Sequence, residues 1–212
     1  MKNLLIIGAR GYGREIFNYA LQCREYNSEW TIKGFLDDNS SALLNYTGYP
    51  AIISPVETYE IQPEDVFICA LGDVNYKYKY VEIIKDKGGV FISIIHPTAT
   101  IFSNTIIGEG FIACPYTIIS CDIKIGDFVT INSFSELGHD VLVGNYCHIN
   151  TYAFLGGFVK IGDFSTIHTG AKIIPTVNVG SHTIVGAGSV VIKKVKDNCT
   201  VFGNPAKVIN TE

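Results

Sequence analysis

From Ile95 to Lys196 the chain divides into seventeen consecutive hexads with no insertion. Their first positions run Ile95, Ile101, Ile107, Ala113, Ile119 and so on to Val191, and only Ala113 is not a large aliphatic. The second position is often glycine, as at Gly108, Gly126, Gly144 and Gly162. The fifth is usually small or β-branched, as at Val129, Ser135 and Ala153. A period of six matches neither the roughly 3.6-residue period of a helix nor the alternation of an exposed sheet. It predicts a left-handed parallel β-helix, in which short strands make the faces of a triangular prism and the aliphatics stack inside. Glycine and small residues are expected where the backbone turns a corner. Three hexads make one coil of eighteen residues, so seventeen hexads make between five and six coils.

Residues 1–94 follow another pattern. Strands are expected at Leu4 to Gly8, Thr31 to Leu36, Val66 to Leu71 and Val90 to Ile94, with helices from Gly13 to about Tyr26 and from Asn75 to about Lys87. Alternating β and α elements imply a small Rossmann-like parallel sheet with helices on its faces. The expected domains are therefore 1–94, an α/β nucleotide-binding unit, and 95–212, an all-β prism with a C-terminal tail.

The bulk composition narrows the partners. Hydrophobic residues make up 47% of the chain, enough for a real core, and 16 Lys plus Arg stand against 20 Asp plus Glu. A net charge of -4 offers nothing to neutralise a phosphate backbone, so nucleic acid is not an expected partner. The apolar run Leu4 to Ile7 is too short for a signal peptide or a membrane span, which predicts a cytoplasmic protein with no membrane association. Six cysteines without a CxxC pair fit reduced thiols, and the scattered histidines give no compact metal set.

Three loops gather at the carboxyl edge of the expected sheet. The first strand runs into Gly8-Ala-Arg10-Gly11-Tyr12-Gly13 and then a helix, where backbone N–H groups can hold a phosphate. The spacing differs from the dinucleotide fingerprint, and a structural tight turn explains the local residues equally well. The second strand ends in Asp37-Asp38, which can accept hydrogen bonds from a ribose or a base; the third ends in Gly72-Asp73.

In the repeats, His139 stands out because Asp140 follows it. Gly157 lies eighteen residues on, one strand spacing of about 4.8 Å along the prism, where its bare backbone N–H can act as an oxyanion donor. A base beside such a donor is what acyl transfer requires. His148 is nine residues from His139, half a circuit of a coil, so one site using both must lie between subunits of a closed oligomer; a homotrimer is expected. His168 and His182 are read as structural or interfacial, and His96 as part of the domain junction.

Together these features resemble the bacterial sugar acetyltransferases of the sialic acid O-acetyltransferase and UDP-4-amino-sugar N-acetyltransferase type. The GARGYG loop, the FLDD strand end, the IHPTA junction, the hexads, the GHD motif, His148, Gly157 and the closing Val201-Phe-Gly-Asn-Pro-Ala-Lys207 occur in family order. The resemblance implies that His139 is the general base, that Asp140 orients it, and that His148 and the Gly157 amide hold the thioester of acetyl-CoA. Asp140 is a departure, since a member of the family carries Glu there. The closing segment resembles the end that holds CoA in hexapeptide acyltransferases; Ala187, Gly188, Lys193, Lys194 and Lys207 are expected along the cofactor, although a solvated basic tail would also look this way.

The expected activity is therefore acetyl-CoA-dependent N-acetylation of a nucleotide-linked amino sugar in surface glycan biosynthesis, without a metal. O-acetylation of a sugar or sialic acid is the alternative. A non-catalytic sugar-nucleotide-binding trimer would dispense with His139-Asp140. A γ-carbonic-anhydrase-like site would need two histidines five apart, a pair this sequence lacks.

Overall fold

The computed structural model describes residues 1–211, which form two compact units, Met1–Pro97 and the chain from Thr98 onwards. The first is a four-stranded parallel sheet with two helices. In chain order its elements are β1 (Lys2–Ile7), α1 (Gly11–Ala20), β2 (Trp30–Leu36), β3 (Ile52–Ser54), β4 (Asp65–Cys69) and α2 (Val74–Asp86). The strand order is β3-β2-β1-β4, so the chain moves outward on one side of β1 and then returns to the other. Leu4, Leu5, Ile6, Phe35, Phe67 and Ile68 are fully buried, as strands covered on both faces require.

Two expected elements differ. The first helix ends at Ala20, and residues 21–25 form turns and a bend; the strand expected from Val90 to Ile94 reduces to an isolated bridge between Phe67 and Phe91 followed by the two-residue strand Ile94–Ile95. The edge strand β3, three residues long, is too short to show in the periodicity. A buried carboxylate ties the far side of the sheet together. Asp65 accepts from Lys33 Nζ at 2.8 Å, from the Tyr59 hydroxyl at 2.6 Å and from the Gln62 N–H at 2.8 Å.

The second unit is the left-handed parallel β-helix. Two-residue strands recur every six residues from Thr100–Ile101 to Val190–Val191, and each pairs in parallel with strands eighteen residues away. The first face carries Thr100–Ile101, Ile118–Ile119, Glu136–Leu137, Phe154–Leu155, Lys172–Ile173 and Val190–Val191; the second runs from Ile106–Ile107 to Asn178–Val179. The third carries Ile112–Ala113, Thr130–Ile131, His148–Ile149, Thr166–Ile167 and Ile184–Val185, and is continued by Cys199–Gly203 and Ala206–Thr211. First and fifth positions of each hexad face inward and are buried from Phe111 onward. The early first positions are not sealed, and Ile95 remains 39% exposed.

The corners are built differently from the sequence expectation. The left-handed backbone conformation falls on the fourth position, with φ between 51° and 67° at Asn104, Tyr116, Asp122, Phe128, Phe134, Asp140, Tyr146, Tyr152, Phe158, Phe164, Thr176 and His182. Glycine occupies the second position because successive coils approach there: a Cβ at Gly126 would lie 2.5 Å from Asn145 Oδ1. Each non-glycine left-handed residue costs about 1–2 kcal/mol. Stacking offsets part of that cost, because side chains eighteen residues apart meet ring on ring. Phe128, Tyr146, Phe164 and His182 form one ladder with centroids 5.1, 5.1 and 4.9 Å apart; Tyr116, Phe134 and Tyr152 form another at 5.1 Å.

Candidate active site

The α/β unit opens a cavity of about 390 Å³ at the carboxyl ends of β1, β2 and β4. An open parallel sheet takes its ligands there, where the strand order reverses. Gly8, Arg10, Tyr12 and Gly13 line it from the first loop, Asp37 and Asp38 from the second, and Gly72 and Asp73 from the third. Gly11 instead opens α1. The glycines at either end of the loop are required by geometry. Gly8 has φ +97°, and a Cβ at Gly13 would collide with the Gly8 carbonyl oxygen.

The two helices meet this cavity differently. At α2 the Asp73 carboxylate accepts the N–H groups of Asn75 and Tyr76 at 2.9 and 3.0 Å, so that N-terminus is satisfied internally. At α1 no side chain caps the first turn and no acidic residue lies in it, which leaves its leading amides and positive dipole end for an external anion.

Asp37 is engaged within the fold. One oxygen accepts the Ala9 N–H at 2.8 Å and the other the Asn39 N–H at 2.9 Å, which braces the glycine loop. Asp38 is exposed and offers its carboxylate to the cavity. Tyr76 and Tyr80, which the sequence reading passed over, complete the wall; their spacing of four on α2 was the available signal. Burial and the charges of Asp38 and Glu57 push the Tyr80 phenol above its ordinary value.

In the prism, His139 and Asp140 sit at the edge between the first and second faces. His139 Nδ1 lies 2.9 Å from Asp140 Oδ2, with about half of each side chain exposed, at 55% and 42%. As the carboxylate can only accept, Nδ1 carries a proton, and in the neutral imidazole Nε2 then carries the lone pair. Phe158 holds the ring edge-on at 5.1 Å and 87°. Below the ring is Gly157, where an added Cβ would lie 2.7 Å from both Cε1 and Nε2.

The neighbouring edge shows what is special about Gly157. There the amides of Glu109, Asp127 and Asn145 donate to the side chains of Asp127, Asn145 and Asp163, each one coil on, at 2.9, 2.9 and 2.6 Å. In the column of His139 the residue one coil beyond Gly157 is Pro175, whose side chain has no acceptor. Pro175 was missed in the sequence, although the spacing of eighteen places it.

The other expected cofactor residues lie elsewhere on the prism. Lys193 and Lys194 are exposed two coils beyond Gly157 on the same edge. Ala187 and Gly188 are exposed at the edge between the third and first faces, and Lys207 is exposed opposite Phe202 in the terminal hairpin. His148 is on the third face, only 4% exposed, with Nε2 3.0 Å from Asn132 Nδ2. One chain thus brings together His139, Asp140, Gly157 and the Lys193-Lys194 pair, and holds His148, Ala187, Gly188 and Lys207 apart from them. Among the described residues no group of three or more His, Cys, Asp or Glu stands close enough to hold a metal, and no helix is long and apolar enough to cross a membrane.

A histidine and carboxylate packed against a glycine, on a hexad-built prism preceded by a parallel α/β unit, define the class of hexapeptide-repeat acyltransferases. Residues 3–84 match the PglD N-terminal domain family. The chain is 32% identical over 117 residues to a UDP-N-acetylbacillosamine N-acetyltransferase of Bacillus subtilis (strain 168), covering 52% of this chain and 50% of that protein. Alignments with the curated relatives span only 50% and 61% of their lengths. Solved structures match throughout. The acetyltransferase domain of PglB from Neisseria gonorrhoeae FA1090 is 30% identical, with 99% of this chain and 100% of that one covered and a TM-score of 0.89. PerB from Caulobacter crescentus, solved with CoA and GDP-perosamine, is 27% identical, with 99% and 98% covered and a TM-score of 0.89. The chain belongs to the sugar N-acetyltransferase family.

Proposed function

We propose that this chain transfers the acetyl group of acetyl-CoA to the amine of a nucleotide-linked amino sugar for surface glycan biosynthesis. The observation that carries this reading is the His139-Asp140 pair, with the imidazole held against the Gly157 α-carbon. With Nδ1–H bound to Asp140, His139 presents a bare Nε2 that takes a proton as the sugar amine attacks the thioester carbonyl carbon. The tetrahedral oxyanion is held by the Gly157 N–H, which Pro175 leaves without an internal acceptor. Collapse breaks the C–S bond, and the proton passes from His139 to the departing CoA thiolate. Acetyl-sugar, CoA and neutral imidazole result.

The cavity of the α/β unit takes the nucleotide. The uncapped start of α1 suits a diphosphate, and Asp38 suits the N–H or O–H donors of a ribose or base. A relative named for UDP and a structural neighbour bound to GDP-perosamine support a nucleotide-linked amino sugar as the class of acceptor.

The active assembly in this reading is a homotrimer. His139, Gly157 and Lys193 share one edge of a chain, whereas His148, Ala187 and Gly188 occupy another face and edge. One acetyl-CoA contacts both groups when two copies face each other. The lysines at 193, 194 and 207 then meet the phosphates of CoA. Nucleotide sugars and acetyl-CoA are cytoplasmic pools, so the reaction belongs in that compartment.

The test is an acetyl transfer assay with UDP- and GDP-linked amino sugars, free sialic acid and the corresponding hydroxy sugars. Acetylation of a nucleotide-linked amine at the highest kcat/KM is expected. Turnover of sialic acid alone would overturn the reading.

A further inference from the structure

We infer that Tyr152 closes the acyl end of the acetyl-CoA channel of the neighbouring copy, and so limits the donor to a two-carbon acyl group. The inference deepens the proposed reaction and rests on its intersubunit site.

Tyr152 stands at the edge between the third and first faces, four residues beyond His148. It is the last rung of a ladder: Tyr116, Phe134 and Tyr152 stack with centroids 5.1 Å apart and ring planes within 15° of each other. The ladder at the edge between the second and third faces has a fourth rung, His182, 4.9 Å from Phe164. Here the fourth position is Gly170 and the fifth Gly188. A Cβ at Gly170 would meet nothing nearer than the Gly188 Cα at 4.0 Å, and one at Gly188 would meet nothing within 4 Å. One face of the Tyr152 ring lies on Phe134, no rung covers the other, and the residue is 59% exposed. The column makes an aromatic floor at Tyr152 and, above it, a shelf without side chains.

The height of that floor decides what stands on it. Residue numbers measure height on this prism, about 4.8 Å for every eighteen. Copies related by a threefold axis parallel to the prism hold equal numbers at equal heights. Tyr152 of one copy is therefore within about 1.5 Å of the level of the neighbouring copy's Gly157, whose amide meets the oxyanion. On its own chain His139 is a full face away. The cofactor runs past Ala187 and Gly188 in the proposed reaction, so it descends the glycine shelf and its acyl end points at the bare ring. A thioester sulfur and a methyl group suit an aromatic face. Each further methylene would run into the ring, which makes Tyr152 a specificity residue.

The test compares acetyl-, propionyl- and butyryl-CoA as donors, by kinetics with the best acceptor and by calorimetric titration without one. Tyr152→Ala lowers the floor by one rung, to Phe134. Its kcat/KM for butyryl-CoA relative to acetyl-CoA should rise at least about tenfold over wild type, with the acceptor KM unchanged. Gly170→Phe adds a fourth rung in a column that already carries aromatics at positive φ. It should raise the KM and Kd for acetyl-CoA about tenfold and keep the unfolding midpoint. Mixed with His139→Ala chains it should regain activity, because one chain then supplies the base and the other the open shelf. A Tyr152→Ala donor ratio equal to that of wild type overturns the inference, and so does the absence of rescue in confirmed hybrids. Wild type that binds acetyl-CoA but acetylates no nucleotide-linked amine defeats the proposed reaction instead, and the calorimetric donor ratio then decides the role of Tyr152.

Discussion

The Gly157 α-carbon lies directly under the His139 imidazole, so close that a methyl group there would stand 2.7 Å from both Cε1 and Nε2. The ring keeps its place against Gly157 only because the side chain below it is a hydrogen. Gly157→Ala should therefore push the imidazole away from its reactive position. A displacement of that order costs about 10²-fold, so kcat should fall by roughly this factor with the fold intact. Steady-state kinetics together with the unfolding midpoint check this; an unchanged kcat would mean the ring has another working position.

Pro175 gives a sharper test of the oxyanion donor. Pro175→Asp would supply the acceptor that Asp127, Asn145 and Asp163 supply on the neighbouring edge, capping the Gly157 N–H. Loss of one such donor costs about 10²- to 10³-fold in kcat. Pro175→Ala offers no acceptor and should stay near wild type. Equal losses in both variants would place the importance in the proline ring.

His139 and His148 lie on different parts of one prism, the first at an edge and the second within a face. If they serve one acetyl-CoA across a subunit boundary, mixing inactive His139→Ala and His148→Ala chains should restore part of the activity through hybrid trimers. Sedimentation and tagged purification confirm that hybrids form. Confirmed hybrids without activity would separate the two residues into different sites.

The prism was legible because its period is long and never slips: seventeen aliphatic positions define the strands, and every spacing of eighteen is a contact along the axis. Gly157 and Pro175 follow from that arithmetic, although only Gly157 was read from it. The meaning of the glycines was less legible. Close approach of Gly126 to Asn145 and a left-handed turn at Phe128 look alike in one dimension, because the strain at Phe128 is offset by stacking on Tyr146, a residue of another coil. In the α/β unit the loops were visible as strand ends. That Asp37 braces the Ala9 amide while Asp38 stays open depends on side-chain direction, which a pair of adjacent aspartates does not encode.

Asp65 should make the stability of the α/β unit sensitive to acid. Burial alone would raise its carboxyl, but hydrogen bonds from Lys33, Tyr59 and the Gln62 N–H outweigh it and hold the group below its ordinary value. A depressed carboxyl contributes stability above the unfolded value of about 3.9 and loses it as pH falls through the folded value. Asp65→Asn should cost about 2 kcal/mol at neutral pH and flatten the stability profile below pH of about 4. Denaturant titrations across pH check both. A variant as stable as wild type at neutral pH would show that Lys33 and Tyr59 find other partners.

His139 as the base in acetyl transfer is tested most directly by the kinetics of His139→Ala with acetyl-CoA and the best nucleotide-linked amino sugar. General bases contribute about 10²- to 10⁴-fold, so kcat should fall within that range while the KM for acetyl-CoA changes little. A variant that keeps more than about a tenth of the wild-type kcat would contradict that role.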